Sequence, residues 1–287
     1  MEIRPVVSVL GLGLLGASFC MELEGKYRRA GWGRNPETRR KALEKGIVDF
    51  IVETPEEAFA AGDIVVLCLP IPVIMEYIRN YASYLKPGAV LTDIGSVKGV
   101  IEAAAQEISG LHFIGSHPMA GTEKSGLENA FKGLYSNADV FVVPPPGAEE
   151  SDIAKVEKLW QDIGTRTTRI NSKVHDELVA GTSHVPHILA SATTLGVLDV
   201  PEEERIVRFS GCATGFRDSS RVASSSPVMW REIVEQNAPA VLTAISELRE
   251  HLDEFEAMIR DGNFDGFEQK FAKGKMLRDQ WLRLKKY

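Results

Sequence analysis

Cysteine is scarce: Cys20, Cys68 and Cys212 are the three in 287 residues, and they lie far apart. An odd, scattered set is neither a disulfide framework nor a zinc cluster, and a reducing cytoplasm is the simplest setting. Basic charge is also short, with 33 Lys and Arg against 40 Asp and Glu for a net −7, and it is spread along the chain. Without a basic stripe to neutralise phosphates, nucleic acid is not expected as a partner. No apolar run is long enough to span a bilayer, and no charged segment with a cleavage site precedes the first apolar strand, so no membrane association or export is expected. Repeats and low-complexity tracts are missing too. What remains is ordinary globular chemistry, 44% hydrophobic and 25% charged, in a chain long enough for two domains.

The first half alternates short β-rich runs with amphipathic stretches: Val6 to Leu10, Leu14 to Glu24, Ile64 to Leu69, Val73 to Leu85, Val90 to Asp93. This rhythm predicts a parallel sheet with covering helices, whose doubly buried strands read as continuous apolar runs. Further strands are predicted at Phe113 to Ser116, Val140 to Val143 and Thr167 to Ile170, with Pro144-Pro145-Pro146-Gly147 ending one of them. After about Asn171 helical patterns take over: Asp176 to Leu195, Val228 to His251 and Phe264 to Leu284. Val241, Ile245, Leu248, Leu252 and Phe255 recur at three- and four-residue steps, a stripe that fits either a bundle core or a dimer seam. The expected architecture is an α/β domain over 1–170 joined to an all-α domain over 171–287.

Val6 to Leu10 runs straight into Gly11-Leu12-Gly13-Leu14-Leu15-Gly16. Strand, glycine turn and helix come in the order a Rossmann-type dinucleotide site requires: Gly11 for the tight turn, Gly13 for close approach to the pyrophosphate, Gly16 for helix–strand packing. The helix N-terminus then faces the anion. Leu69 and Pro70, after the Ile64 run, complete the expected cofactor set. The end of the second strand reads Gly31-Trp32-Gly33-Arg34-Asn35. Gly33 stands where an acid would bond the ribose hydroxyl of NAD, and Arg34 follows it, which favours the phosphate of NADP. A solvated loop arginine would leave NAD open.

Three segments concentrate polar residues where open α/β sheets bind ligands or in the helical half: Asp93-Ile94-Gly95-Ser96-Val97-Lys98, Ser116-His117-Pro118-Met119-Ala120-Gly121-Thr122, and Gly215-Phe216-Arg217-Asp218-Ser219-Ser220-Arg221. In this order they resemble the prephenate/arogenate dehydrogenase (TyrA) family over nearly the whole chain. The resemblance implies NAD(P)-dependent oxidative decarboxylation of prephenate or arogenate in tyrosine biosynthesis. It also implies a Rossmann domain joined to a helical dimerisation domain, hence a homodimer.

The residues suit that chemistry. Oxidising a ring alcohol needs a base for the hydroxyl proton, and histidine titrates near neutrality; His117 is the candidate. The resemblance places Ser96 beside it, near substrate and nicotinamide. A dicarboxylate substrate needs a cation of fixed geometry, and the resemblance points to Arg221. Arg217, four residues earlier, either shares its helical face or pairs with Asp218. His184 and His187 lie three apart on a helical pattern; without accompanying ligand residues they are not expected to bind metal. The resemblance puts them at the substrate's side-chain end, with Trp230 as an aromatic wall and Thr122 as a further contact. His175 and Asp176 read as the start of a helix. An acid near the side chain would favour the ammonium of arogenate, and Glu123 and Glu128 are candidates.

The stretch Ser210 to Gly215 is less glycine-rich than the family pattern leads one to expect. The chain closes at Tyr287 without room for an ACT domain or a fused chorismate mutase, so any tyrosine inhibition is expected at the active site. Two rival readings share a dinucleotide loop. A β-hydroxyacid dehydrogenase would need a catalytic lysine, for which Lys173 is the positional candidate; an inactive dinucleotide-sensing module would not keep Ser96, His117 and Arg221 together.

Overall fold

The structure, a computed structural model, describes residues 4–122 and 124–285. Five parallel strands form the first sheet: β1 (Val6–Leu10), β2 (Arg28–Trp32), β3 (Phe50–Ile51), β4 (Ile64–Leu67) and β5 (Val90–Asp93), in the order β3-β2-β1-β4-β5. Every residue of β4 and β5 is buried, as expected of strands covered on both faces. The chain reverses its lateral direction between β1 and β4, the switch point at whose carboxyl end open α/β sheets bind ligands.

A second sheet of β6 (Gly115–Pro118), β7 (Asp139–Val143) and β8 (Arg166–Arg169) follows. β6 runs antiparallel to β7, and β7 parallel to β8. A parallel bridge between Leu91 and Phe113 joins β5 to the segment entering β6, bringing the loops after β5 and β6 together. The predicted strands at Phe113 and Thr167 therefore exist, shifted by one or two residues. Phe113 makes only a bridge, while pairing continues through Pro118 because the Met119 amide donates to the Asp139 carbonyl.

The remainder is helical, and two predicted helices are broken. The run Asp176 to Leu195 is divided into Ser172–Val179, a wide π-turn at Ala180–His184, and Val185–Leu198. Pro186 cannot donate to the preceding turn, and widening there relieves the mismatch. The run from Val228 stops at Gln236 and resumes at Ala238. Asn237 between them leaves helical geometry (φ −126°, ψ 25°), and Pro239 disfavours the helical conformation of the residue before it.

The chain divides into two compact units, one up to Ala238 and one from Pro239. In the second, the helices Ala238–Arg260 and Phe264–Lys285 meet through Phe255 against Phe267, ring centroids 5.2 Å apart. The predicted stripe is mixed: Val241 is buried, whereas Leu252 is 52% exposed.

Candidate active site

The three glycines of the first loop differ in what their backbones meet. Gly11 has φ +104°, and a Cβ there would fall 2.0 Å from the Cys68 carbonyl oxygen; one on Gly16 would fall 2.0 Å from that of Gly11. These two serve the protein's own packing. Gly13 has ordinary dihedrals and nothing within 4 Å of its would-be Cβ. The open space sits at the N-terminus of helix Leu14–Glu22, which has neither a side-chain cap nor an acid in its first turn. The first amides of the helix have no side-chain cap, with Leu12 buried beneath the turn and Leu69 beside Gly11. Pro70 caps the next helix. Uncapped amides, absent acid and open Gly13 fit a dinucleotide pyrophosphate.

At the β2 edge, Gly33 is buried and Arg34 exposed, with no hydrogen bond or ion pair to Arg34 among the described residues. Asn35 has a structural duty: its side chain accepts from the Glu37 amide and caps helix Pro36–Glu44. A second cation escaped sequence reading. Arg39 is buried, donates to the Gly33 carbonyl at 2.7 Å and pairs with Glu53 at 2.5 Å.

The loops after β5 and β6 hold the catalytic candidates. Lys98, 1% exposed, pairs with Asp93 and donates to the Ser116 carbonyl at 3.0 Å. Ser116 is saturated by Thr92, Trp160 and the Asp93 carbonyl, which locks the residue preceding His117. Ser96, half-buried in the same loop as Lys98, has no hydrogen-bond partner among the described residues. Its hydroxyl is uncommitted.

His117 projects from β6, and its Nδ1 lies 2.9 Å from Nε2 of His175. His175 Nδ1 in turn lies 2.7 Å from Asp176 Oδ1. The Asp176 carboxylate also accepts from the backbone amides of Lys98 and Gly99, both at 2.8 Å. His175 and Asp176 lie near the start of helix Ser172–Val179, as expected, and that helix also brings His175 against the β6 histidine with Asp176 behind it. Burial first, then the neighbouring His175, Lys98 and His184, hold His117 well below 6.5. Burial likewise depresses His175, outweighing Asp176. For Asp176, burial pushes upward, but bonds from His175 and the two amides keep it below the usual carboxylate range. Near neutral pH this is a carboxylate followed by two neutral imidazoles.

A second cluster forms around Trp230. His187 stacks on the indole with centroids 4.0 Å apart, and His184 meets it edge-on at 5.9 Å. The π-turn places His184, and helix Pro227–Gln236 presents Trp230. Burial lowers His184 to about 4. The side-chain nitrogen of Asn237 donates to the Asp176 carbonyl at 2.8 Å and faces His184 Nδ1 at 3.3 Å. Nδ1 therefore accepts, and Nε2 carries the proton. That Nε2 and the Trp230 Nε1 are both buried without a partner among the described residues. His187 donates from Nδ1 to the Ser183 carbonyl at 2.8 Å, leaving its Nε2 as an acceptor. Arg221 lies close enough to lower the His187 pKa, after burial has done so and against the Ser183 bond.

Phe216, Arg217, Ser220, Arg221 and Ser224 line an open cleft. Arg217 is exposed and bonded to Asp218 at 2.8 Å. Thr122 is exposed, accepting from the Lys124 amide. Glu128 pairs with Lys45 at 2.7 Å and Lys41 at 3.5 Å, so two lysines of the β2 side occupy it. Glu123 lies outside the described residues. Lys173 is solvent-exposed beside Glu177, not a buried catalytic lysine. His112, Glu149 and Asp152 could converge on an ion, but Asp152 already pairs with His112 and Lys155. No described helix is long and apolar enough to cross a membrane.

Known proteins resemble this chain over nearly its whole length. The profile "Prephenate dehydrogenase, nucleotide-binding domain" matches residues 24–169, and "Prephenate dehydrogenase, dimerization domain" matches 171–273. The prephenate dehydrogenase of Lactococcus lactis is 33% identical over 279 residues, covering 95% of this chain and 76% of that protein. The cyclohexadienyl dehydrogenase of Zymomonas mobilis is 30% identical, covering 92% of each chain. Among solved structures, prephenate dehydrogenase from Aquifex aeolicus, in complex with hydroxyphenyl propionate and NAD+, superimposes with a TM-score of 0.89. It is 29% identical, covering 98% of this chain and 99% of that one. The chain, an α/β sheet domain followed by helices, belongs to the prephenate dehydrogenase family.

Proposed function

We propose that this chain oxidises and decarboxylates prephenate or arogenate in tyrosine biosynthesis, with His117 as the base. The observation that carries the reading is the His117 ring: neutral at physiological pH, bonded through Nδ1 to His175 and free at Nε2 among the described residues. A bound nicotinamide dinucleotide supplies the hydride acceptor. Nε2 takes the ring hydroxyl proton as the alcohol carbon is oxidised, and loss of the ring carboxylate as carbon dioxide leaves an aromatic ring. Ser96 offers an uncommitted hydroxyl to the same oxygen. Arg221 clamps a substrate carboxylate, and His187 with Trp230 forms the wall beside the side chain.

Between the two substrates, the Trp230 cluster favours prephenate. His184 Nε2–H and Trp230 Nε1–H are enclosed donors lacking acceptors, and leaving such groups unpaired costs about 1–3 kcal/mol each. A keto oxygen satisfies them; an ammonium cannot. For the cofactor, Arg34 beside Gly33 favours NADP over NAD. We further propose a homodimer formed by the helical region, 171–287, as distinct from the dinucleotide domain, 1–170. It is supported by the dimerization profile and by exposed Ile206, Val207 and Phe209 on a helix with no buried residue.

Steady-state kinetics with both substrates and both cofactors tests this. Cofactor reduction with prephenate, faster than with arogenate, is the expected result. Turnover of neither, with 3-hydroxy acids accepted instead, overturns it.

A further inference from the structure

The Asp176–His175–His117 chain crosses from the helical region to the sheet, and its proton positions can be worked out one by one. An ionised carboxylate only accepts, so the nitrogen of His175 facing Asp176 at 2.7 Å carries a hydrogen. A neutral imidazole has one such hydrogen. His175 Nε2 is then bare and can only accept, so His117 Nδ1, 2.9 Å away, is the donor. The one hydrogen of His117 is thereby spent on the inner side of the ring, and Nε2 carries the lone pair. If His175 were a cation the order would invert and His117 would present N–H to the substrate. Burial, by depressing His175, keeps it neutral near pH 7.

Position supports the same division of labour. His175 is fully buried and cannot meet substrate, whereas His117 keeps 9% of its surface exposed. Asp176 is pinned by the Lys98 and Gly99 amides, and Lys98 Nζ holds the Ser116 carbonyl just before His117. The groups facing His117 are His175 from helix Ser172–Val179, Lys98 from the loop after β5 and His184 from the π-turn. Lys98 is offset by Asp93. The carboxylate that connects to the ring through hydrogen bonds is Asp176.

We propose that His175 and Asp176 are positioning residues: they hold His117 as the Nδ1–H tautomer with a bare Nε2, and share the positive charge the ring gains on taking the substrate proton. The inference rests on the reading of His117 as base, and its first test needs no turnover. In the wild-type protein labelled with 15N-histidine, NMR should find His117 protonated at Nδ1 and bare at Nε2; the opposite tautomer overturns the proposal.

Two substitutions then separate positioning from plain structure. His175→Gln can set its amide oxygen near the Nε2 position and still accept from His117. His175→Asn sets its amide near the Nδ1 position, still donating to Asp176 but leaving His117 unheld. We expect kcat to fall at least about tenfold further in H175N than in H175Q, with KM little changed. In H175Q the acidic limb of kcat/KM should move to lower pH, because an amide cannot pass the Asp176 charge to the ring. Equal losses, a better H175N than H175Q, or an unmoved acidic limb would show that His175 only anchors the helix. If the wild type turns over neither prephenate nor arogenate, the functional reading fails while the tautomer measurement still decides this one.

Discussion

Two pairs of histidines sit in the first compact unit, and the company each keeps sets them apart. His117 and His175 are joined to a carboxylate, so a proton gained at one end has a counter-charge at the other. His184 and His187 are joined to an amide and a carbonyl and packed on Trp230. Burial depresses all three rings nearest the carboxylate, His184 to about 4, so the pairs differ in their hydrogen-bond partners and not in how readily they are desolvated. The first pair is thus wired to a counter-charge, whereas the second bonds only to neutral groups. On the proposed function, identical side chains take different uses from what lies behind them, one pair for chemistry and one for recognition.

The contrast breaks most sharply at His117. His117→Asn should lower kcat by roughly a thousandfold while leaving dinucleotide binding intact, read by steady-state rates and a cofactor titration. Near-normal turnover would remove the first pair from the mechanism. The second pair should speak through stability. An unfolded His184 takes a proton at its ordinary 6.5, whereas the folded ring stays neutral to about 4. Its contribution is therefore lost as pH falls from 6.5 toward 4, on the order of 3 kcal/mol. Thermal melts across that window should show wild type losing more stability on acidification than His184→Asn.

Arg221→Gln removes a charge-assisted clamp and should lower kcat/KM by about 1.5–3 kcal/mol, mainly through KM. Trp230→Phe keeps the wall but deletes an enclosed donor. Its kcat/KM for prephenate should fall by about 1 kcal/mol and that for arogenate by less, so an unchanged ratio would count against the donor argument. The smallest effect belongs to Arg34→Ala, an exposed site worth less than about 1 kcal/mol, which should raise KM for NADP and spare NAD.

The sheet was readable because its signals are local. Apolar runs such as Ile64 to Leu67, and a glycine turn after a strand, need no distant residue to be understood. His117 and Trp230 were nominated by family resemblance and their surroundings were not. Asp176 is 59 positions from His117, and its place is decided by two amides at residues 98 and 99, which no periodicity announces. Lys98 stands out in sequence as the end of the Asp93–Lys98 segment, but its burial at 1% exposure and its ion pair with Asp93 are visible only in the structure. The broken helices had a signal in Pro186 and Pro239, and the helical periodicity on either side masked it.

Gly13 has a consequence for how the protein can be dissected. Its two partners in the loop are held by steric demands of the fold, so replacing either disturbs the backbone around Cys68 or Gly11. Gly13 has ordinary dihedrals and empty space around it, so an alanine there meets nothing of the protein itself. A methyl group at that point would intrude only on a visitor. If the dinucleotide lies over this loop as proposed, Gly13→Ala should give a folded form with weakened cofactor binding, in which substrate binding can be weighed apart from the redox reaction.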